Sequence, residues 1–220
     1  MHPNPMHPNP LRLTVFGASG AVGRRVVAEA LDRGHAVTAV VRSPESLAAL
    51  PAGVAGHLAD ASDAETVAKL TDGQDVVISA TRPAPGREPE LAAVTRAMLA
   101  AVVRTGGRLL LVGGAATLLV DGTPLVDTPG FPAEIRPIAE ACREQYEICL
   151  AAVPESDWTY LAPPAELSPG TRTGRYRLGR DELLTDAAGR SAVSMEDLAV
   201  ALLDEAEHPR HRRARFTVGY

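Results

Sequence analysis

The sequence predicts an α/β fold, with a doubly wound parallel sheet and a small C-terminal extension on the substrate side. Strand and helix signals alternate along almost the whole chain, which is typical of a parallel sheet with helices on both faces. A glycine-spaced turn joins the first strand to the first helix. Residues 11–220 contain no internal repeat and no linker, so we expect them to form one domain.

The first part of the chain consists of short apolar strands, each followed by a helix-forming run. We expect strands at residues 11–16, 35–41, 53–58, 75–80, 108–112 and 158–161. We expect helices at residues 21–33, 44–50, 62–70, 89–104 and 132–153. Glycines mark the boundaries: Gly34 ends the first helix, and the pairs Gly106-Gly107 and Gly113-Gly114 enclose the fifth strand.

The alternation becomes less regular after Pro163-Pro164. The remaining signals predict a hairpin of residues 176–178 and 183–185, a capped helix at 194–205 and a final strand at 215–219.

Three loops follow strands at their carboxyl ends, where open α/β sheets bind ligands. Two of them are unusually long for a compact domain. We therefore expect elements at about 113–131 and 163–195 to wall a substrate pocket, with the proline-rich residues 82–87 as a third wall.

Composition excludes several classes of partner. The formal net charge of −5 argues against a nucleic-acid or anionic-membrane surface, and no apolar run reaches the length of a membrane span. Residues 1–10 repeat a proline-rich pentapeptide, so we expect a disordered tail. The same residues lack the regions of a signal peptide. Cys142 and Cys149 lie two helical turns apart, too far for a disulfide, and reduced thiols fit a cytoplasmic protein.

The glycine turn predicts a Rossmann-type nucleotide site. It has the spacing G-x-x-G-x-x-G and consists of Gly17, Ala18, Ser19, Gly20, Ala21, Val22 and Gly23. Gly17 permits the tight turn, Gly20 lets a pyrophosphate approach the backbone, and Gly23 allows close packing of the helix. Free amides at the helix start then face the phosphates. A glycine turn without a ligand is the alternative interpretation.

Arg42 ends the second strand, where an NAD-preferring site would carry an acidic residue. A cation followed by Ser43 suits a 2′-phosphate, so we expect NADP(H) to be preferred over NAD(H). The alternative is a compositional effect, because Lys69 is the only lysine and arginine supplies the other positive charges.

The next two strands end in further candidate cofactor contacts. Asp60 and Ala61 follow the third strand, where a carboxylate can accept from the adenine amino group. A helix N-cap role for Asp60 or Ser62 is the alternative. Ala80 and Thr81 close the fourth strand, where the backbone should pass the ribose and nicotinamide half.

Ordinary short-chain reductases pair a tyrosine with a lysine four residues later on one helix face, and the lysine lowers the tyrosine pKa. Here Tyr146 is followed by Leu150 at that position. Tyr146 and Thr117 are the candidate catalytic residues. The alternative is that Tyr146 is a core or rim aromatic and that Thr117 is only a loop hydroxyl. The histidines are scattered, so no metal site is expected.

Together, several motifs resemble one family. They are the glycine turn, Val41-Arg42, Val112-Gly113-Gly114-Ala115, residues 127–132, 157–161 and 174–179, and the ending 215–220. The chain resembles the atypical short-chain dehydrogenase/reductase group with an NAD(P)H-binding domain, which includes proteins named NADH-flavin reductases, biliverdin reductase B-like and NmrA-like proteins. Ala116-Thr117 stands where family members commonly have Gly-Ser.

The resemblance implies a reductase that transfers hydride from NAD(P)H to a flavin, a quinone or a similar planar small molecule. Such an acceptor spreads the added charge, so solvent can supply the proton without a protein acid. Two alternatives stay open: a binding protein that senses NADP(H) without turnover, and a nicotinamide-dependent isomerase or dehydratase. The sequence leaves the oligomeric state open.

Overall fold

The computed structural model describes residues 10–220. The tail predicted for residues 1–10 therefore lies, apart from Pro10, outside the described residues. The helices are α1 Gly23–Asp32, α2 Pro44–Ala48, α3 Ala64–Thr71, α4 Glu90–Thr105, α5 Arg136–Leu150 and α6 Met195–Glu207. The strands are β1 Arg12–Phe16, β2 Ala36–Val41, β3 Ala55–Leu58, β4 Val76–Ser79, β5 Arg108–Val112, β6 Leu119–Val120, β7 Thr123–Pro124, β8 Trp158–Ala162, β9 Glu166–Ser168, β10 Arg177–Gly179, β11 Ala192–Ser194 and β12 Ala214–Gly219.

The central sheet confirms the predicted α/β Rossmann-type fold. Its eight strands run in the order β10-β12-β8-β5-β4-β1-β2-β3. Adjacent strands are parallel except that β10 is antiparallel to β12, which forms the small C-terminal extension. The chain proceeds outward from β1 in both directions, through β2 and β3 on one side and through β4 and β5 on the other. The point between β1 and β4 is therefore the topological switch point, where such sheets bind ligands.

Alternating strand residues fill a core on each face of the sheet. Leu13 and Val15 point to the face covered by α1 and α6, which pack against each other. Phe16 points to the opposite face, covered by α3, α4 and α5. Trp158 and Tyr160 of β8 are fully buried on that second face. Because both faces are covered, the central strands β1, β4, β5 and β8 are buried along nearly their whole length.

The predicted hairpin after residue 176 is wrong. Only its first strand forms, as β10, and it pairs with β12 instead of with residues 183–185. The edge of β12 offers a row of unpaired backbone groups, which β10 satisfies. Glu182 instead forms an isolated bridge with Leu119, in the loop after β5.

The two long connections contain short elements that the sequence pattern did not reveal. Residues 113–131 include two 3-10 turns and the small β6–β7 ladder. Residues 163–195 include β9, which pairs with β11. A 3-10 turn at 133–135 precedes α5, so this helix begins at Arg136 and not at Pro132. Cys142 and Cys149 lie on one helix, α5, as predicted, and both are buried free thiols.

Within residues 10–220, no helix combines the length and the apolarity that crossing a membrane requires.

A buried ionic cluster ties α6 to the edge of the sheet opposite the carboxyl ends. The guanidinium of Arg108 contacts the carboxylate of Glu205 and donates to Thr159 Oγ1 at 2.7 Å. The same carboxylate accepts from the amide of His211 at 2.9 Å and lies 2.8 Å from His211 Nδ1. Burial alone would raise the Glu205 pKa, but the hydrogen bonds from His211 and Arg108 bring it below its ordinary value.

We predict that Glu205→Gln lowers the free energy of unfolding by about 3 kcal/mol at pH 7, because the buried Arg108 then keeps only the more distant carboxylate of Asp157, 3.8 Å from its Nε. Since the carboxyl pKa is lower in the folded state, its stabilising effect is present above the unfolded-state pKa and is lost as the pH falls through the folded-state pKa. The difference between variant and wild type should therefore shrink in acid. Urea unfolding across pH measures it.

The matched control is Glu65→Gln, which removes an exposed carboxylate paired with Arg104. That substitution should change the stability by less than about 1 kcal/mol. Equal effects of the two substitutions would contradict the assigned role of Glu205.

Candidate functional site: a cavity at the carboxyl edge of the sheet

A cavity of ≈ 890 Å³ extends along the carboxyl ends of the parallel strands. The segments that follow β1, β2, β4, β5 and β8 form its walls. Its lining includes residues 17 and 19–22, 41–43, 80–83, 112–116, 128–132 and 163–165. The loops expected to wall a substrate pocket therefore meet the glycine turn in one continuous space.

The glycine turn depends on two close backbone approaches. Gly17 has φ +75°, in the left-handed region, and a Cβ atom there would stand 2.5 Å from the carbonyl oxygen of Ala80. A Cβ atom on Gly23 would stand 2.0 Å from the carbonyl oxygen of Gly17. Both positions therefore require glycine for helix α1 to start this close to the sheet.

The start of α1 presents free amides to the cavity. The amides of Gly17 and Ala18 donate to the carbonyl of Val40 at 3.2 and 3.3 Å, and Gly20 donates to the carbonyl of Gly17 at 3.0 Å. In residues 10–220, the amides of Ser19, Ala21 and Val22 have no acceptor. The helix has no side-chain cap and no acidic residue in its first turn. This end of the helix therefore suits an anion.

Arg42 lies on the cavity wall where β2 ends, beside Ser43 and Ser46. Ser43 caps α2 by accepting from the amide of Ser46 at 3.2 Å. Arg42 is exposed and has no ion pair within the described part of the chain. A cation with two neighbouring hydroxyls can bind a phosphate here.

Asp60 and Ala61 lie outside the cavity lining. The Asp60 carboxylate accepts from the amide and the hydroxyl of Ser62, both at 2.8 Å. These bonds lower the Asp60 pKa, and the nearby charge of Arg42 contributes. The alternative, that Asp60 or Ser62 caps the next helix, is wrong, because Asp63 is the N-cap of α3.

Of the predicted cofactor-binding residues, the structure places most on one wall. The residues that line the cavity are Gly17, Ser19, Gly20, Ala21, Val22, Arg42, Ala80 and Thr81. Ala18 and Gly23 are buried beneath the turn, where they support it without facing the cavity.

Tyr146 and Thr117, the candidate catalytic residues, do not line the cavity. The Tyr146 ring packs 5.0 Å from the ring of Tyr160, and the Arg215 guanidinium lies 4.7 Å above it. Burial raises the Tyr146 pKa. Thr117 is buried in a 3-10 turn, and its carbonyl accepts from Arg215 at 2.7 Å. In this geometry neither side chain can contact a ligand in the cavity.

Sequence reasoning missed the support of the loop after β5. Tyr160 is fully buried, donates to the carbonyl of Cys142 at 3.0 Å and accepts from the amide of Gly114 at 3.3 Å. A Cβ atom on Gly113 would overlap the Tyr160 ring, and one on Gly114 would stand 2.9 Å from Cys142 Sγ. The glycine pair was the available signal, since it indicated a close approach but not its partner.

The half of the cavity away from Arg42 is largely apolar. Leu125, Phe131, Ile138 and Leu167 contribute to its wall, together with several prolines. Arg82 and Cys142 are the titratable side chains that the described residues place there. Burial raises the Cys142 pKa to about 11, so the thiol is neutral near pH 7. This half therefore offers no group that exchanges a proton near neutral pH.

The loop after β8 is attached to the two helices beside the cavity. Glu196 of α6 accepts from the amide of Gly170 at 2.7 Å and pairs with Arg25 of α1 at 2.6 Å. Asp197 accepts from the amides of Thr173 and Gly174, both at 2.8 Å. These bonds hold the loop beside the glycine turn.

Fold and site together define a nucleotide-binding protein of the doubly wound α/β class. A family model described as NAD(P)H-binding matches residues 17–209. The chain belongs to this NAD(P)H-binding family of atypical short-chain dehydrogenase/reductase proteins.

Relatives and solved structures match over nearly the whole chain. The protein YwnB of Bacillus subtilis (strain 168), itself uncharacterized, is 37% identical over 213 residues, which are 94% of this chain and 98% of YwnB. A Bacteroides thetaiotaomicron structure provisionally named an epimerase is 40% identical with a TM-score of 0.88, covering 96% of this chain and 98% of its own. A Streptococcus pneumoniae structure provisionally named an NADH-flavin reductase is 31% identical with a TM-score of 0.87, covering 95% and 99%.

We predict that Gly20→Glu weakens NADPH binding by at least about 100-fold, because it places a carboxylate among the amides that face the phosphates. A Cβ atom at position 20 would meet the Gly17 carbonyl at 3.2 Å, so the fold should persist with a small adjustment. Isothermal titration calorimetry measures the binding, and thermal melting checks the fold.

Ala52→Glu is the matched control, because Ala52 is exposed and outside the cavity lining. It adds the same charge and should leave NADPH binding unchanged. If a folded Gly20→Glu variant bound NADPH as tightly as wild type, the glycine turn would not be the phosphate site.

Proposed function

We propose that the protein is an NAD(P)H-dependent reductase that transfers hydride to a flavin, a quinone or a similar planar small molecule. One observation carries this proposal. The glycine turn opens directly into an apolar space, and within residues 10–220 the wall of that space has no group that exchanges a proton near neutral pH. A carbonyl acceptor needs such a group to protonate the oxygen as hydride arrives. A conjugated acceptor does not need it.

The protein's contribution to such a reaction is binding and orientation. The reduced nicotinamide supplies the hydride when the cofactor is bound. The amides before α1 fix the phosphates, while Ala80 and Thr81 border the path toward the apolar half. Phe131, Ile138 and the prolines offer flat apolar contacts to a ring system. Holding two reactants in reacting geometry accounts for a large part of many rate enhancements.

A flavin and quinone screen tests the proposal. Wild type should oxidise NADPH in the presence of riboflavin, FMN or a simple benzoquinone, and Gly20→Glu should not. The loss of NADPH absorbance measures the rate, and Ala52→Glu serves as the control. If wild type bound NADPH yet reduced none of these acceptors faster than Gly20→Glu, the reductase proposal would fail, and cofactor sensing would become the better interpretation.

Isomerisation is the second candidate, because the Bacteroides relative is provisionally named an epimerase. Epimerisation usually needs an acid or base beside the substrate carbon. The apolar half of the cavity provides neither, which favours the reductase. Conversion of a small metabolite with retained nucleotide and no net redox change would identify an isomerase.

For the cofactor, we propose a preference for NADP(H) over NAD(H). Arg42, Ser43 and Ser46 support it, because a cation and two hydroxyls at the end of β2 match a 2′-phosphate.

We predict that Arg42→Gln raises the Kd for NADPH by about tenfold and leaves the Kd for NADH unchanged. Titration of both nucleotides measures this. Arg180→Gln is the control, since Arg180 is exposed and lies outside the cavity lining. Equal losses for the two nucleotides would contradict a 2′-phosphate contact.

We also predict that Tyr146→Phe and Thr117→Val each change kcat with a flavin by less than about twofold, because neither side chain reaches the cavity. Loss of a working general acid would instead lower kcat by about 100-fold or more. Steady-state kinetics with saturating NADPH separates these outcomes. A large fall in kcat with an unchanged melting temperature would restore a catalytic role.

A further inference from the structure

The segment that follows β9 is held mainly by polar contacts. It comprises residues 169–175, which we call the strap, and every residue in it is exposed. Within residues 10–220, none of its side chains belongs to a hydrophobic cluster. Its backbone is fixed by α6: Gly170 donates to Glu196 at 2.7 Å, and two further amides donate to Asp197. A segment with few apolar contacts opens at a low cost in free energy, so the position of the strap depends on these bonds.

The strap continues one wall of the cavity. Just before it, Pro164, Ala165 and Leu167 line the cavity, and Leu167 belongs to the apolar half. Met195, the residue before Glu196, lines the cavity as well. The bonds that hold the strap therefore also fix the wall that a second ligand would contact.

Arg25, in the first turn of α1, joins the anchor of the strap to the glycine turn. Its Nε donates to the carboxylate of Glu196 at 2.6 Å, and its Nη1 donates to the carbonyl of Ala21 at 2.6 Å. No backbone amide in residues 10–220 donates to that carbonyl. Burial alone would raise the Glu196 pKa, but the hydrogen bonds from Arg25 and Gly170 bring it below its ordinary value, so the carboxylate is charged near pH 7.

A single peptide group lies between Arg25 and the phosphate site. The carbonyl of Ala21 and the amide of Val22 belong to the same planar unit. Arg25 contacts the oxygen of this unit, whereas its N–H has no acceptor among the described residues and is one of the amides that face a nucleotide phosphate. A cation at the oxygen makes the N–H a stronger donor, and an anion at the N–H makes the oxygen a stronger acceptor, because linked hydrogen bonds polarise one another. Binding of a phosphate therefore strengthens the contact of Arg25 with the turn.

We propose that a bound nucleotide phosphate fastens the strap through the Val22 amide, Arg25 and Glu196. Arg25 and Glu196 are then positioning residues, because they hold one wall of the apolar half in place once the nucleotide is bound. The nucleotide should therefore bind first and raise the affinity for the second ligand. For that second ligand the inference rests on the proposed reductase function, whereas the response of the strap to the nucleotide does not.

Hydrogen–deuterium exchange followed by mass spectrometry measures the response of the strap. In wild type, saturating NADP⁺ should slow exchange in a peptide that covers the strap by about fivefold. Arg25→Met keeps the alkyl stem and removes the donors, so NADP⁺ should slow its strap exchange by less than about twofold. Arg24→Met is the matched control, because Arg24 is exposed on the same helical turn and lies outside the cavity lining. It removes the same charge and should respond as wild type.

Glu196→Gln is the second variant. It keeps the shape of the side chain and weakens its bonds to Arg25 and Gly170 by removing the charge. Its strap should exchange faster than that of wild type without nucleotide and should respond less to NADP⁺. Thermal melting and the exchange of peptides from the central sheet check the fold of each variant.

Riboflavin binding measures the consequence for the second ligand. Flavin fluorescence quenching gives the Kd of riboflavin with and without saturating NADP⁺, which cannot reduce the flavin. In wild type, NADP⁺ should lower this Kd by about fivefold. In Arg25→Met the two Kd values should be nearly equal, and in Arg24→Met they should differ as in wild type.

An absence of strap protection by NADP⁺ in wild type would overturn the coupling. So would protection of wild-type size in Arg25→Met, because the nucleotide would then contact the strap directly. A Kd for NADP⁺ in Arg25→Met about tenfold or more above that of Arg24→Met would make Arg25 a phosphate ligand instead of a positioning residue. Strap protection without any change in the riboflavin Kd would refute the effect on the second ligand.

Turnover separates this inference from the proposed function. Riboflavin reduced with equal kcat/KM by wild type and Arg25→Met, with no nucleotide-dependent protection of the strap, would refute the inference and retain the reductase. Strap protection that depends on Arg25, without reduction of any flavin or quinone, would support the coupling and refute the reductase.

Discussion

The approach of Gly23 to the carbonyl oxygen of Gly17 is the constraint on which the site depends. A Cβ atom at position 23 would stand 2.0 Å from that oxygen, so only glycine lets α1 begin so close to the turn. With the helix in this place, the Gly20 amide closes the turn on the same carbonyl and the following amides stay free for a ligand. A side chain at position 23 would push α1 outward, redirect those amides and disturb the packing of α1 on α6.

The order of the strands converts this local arrangement into a two-part cavity. Because the sheet is parallel around β1, the loops after β2, β4, β5 and β8 all open on the edge where the glycine turn lies. The loop after β2 brings a cation and hydroxyls, and the loops after β5 and β8 bring apolar residues. The polar part thus suits a nucleotide and the apolar part suits a ring, with β1 and β4 between them.

The sequence alone was sufficient for features that depend on neighbouring residues. The glycine spacing identified the turn, and the alternation of strands and helices identified the fold, because both patterns are local. Contacts between distant residues were not predictable: Tyr160 supports Gly114 from 46 positions away. The surroundings of the Tyr146 ring were not predictable for the same reason. The rotation of α5 on the sheet directs its ring toward Tyr160 and Arg215, and no spacing within the helix reveals that rotation.

Burial shifts the pKa of each candidate proton donor near the cavity upward. It raises the pKa of Tyr146 and that of Cys142, so both groups stay neutral near pH 7 and neither is prepared to exchange a proton. A general acid or base works best when its pKa lies near the working pH. Here Tyr146 serves the packing around Tyr160, and Cys142 serves the support of Gly114. Among residues 10–220, the wall of the cavity thus combines apolar side chains with the cations Arg42 and Arg82 and has no group that titrates near pH 7.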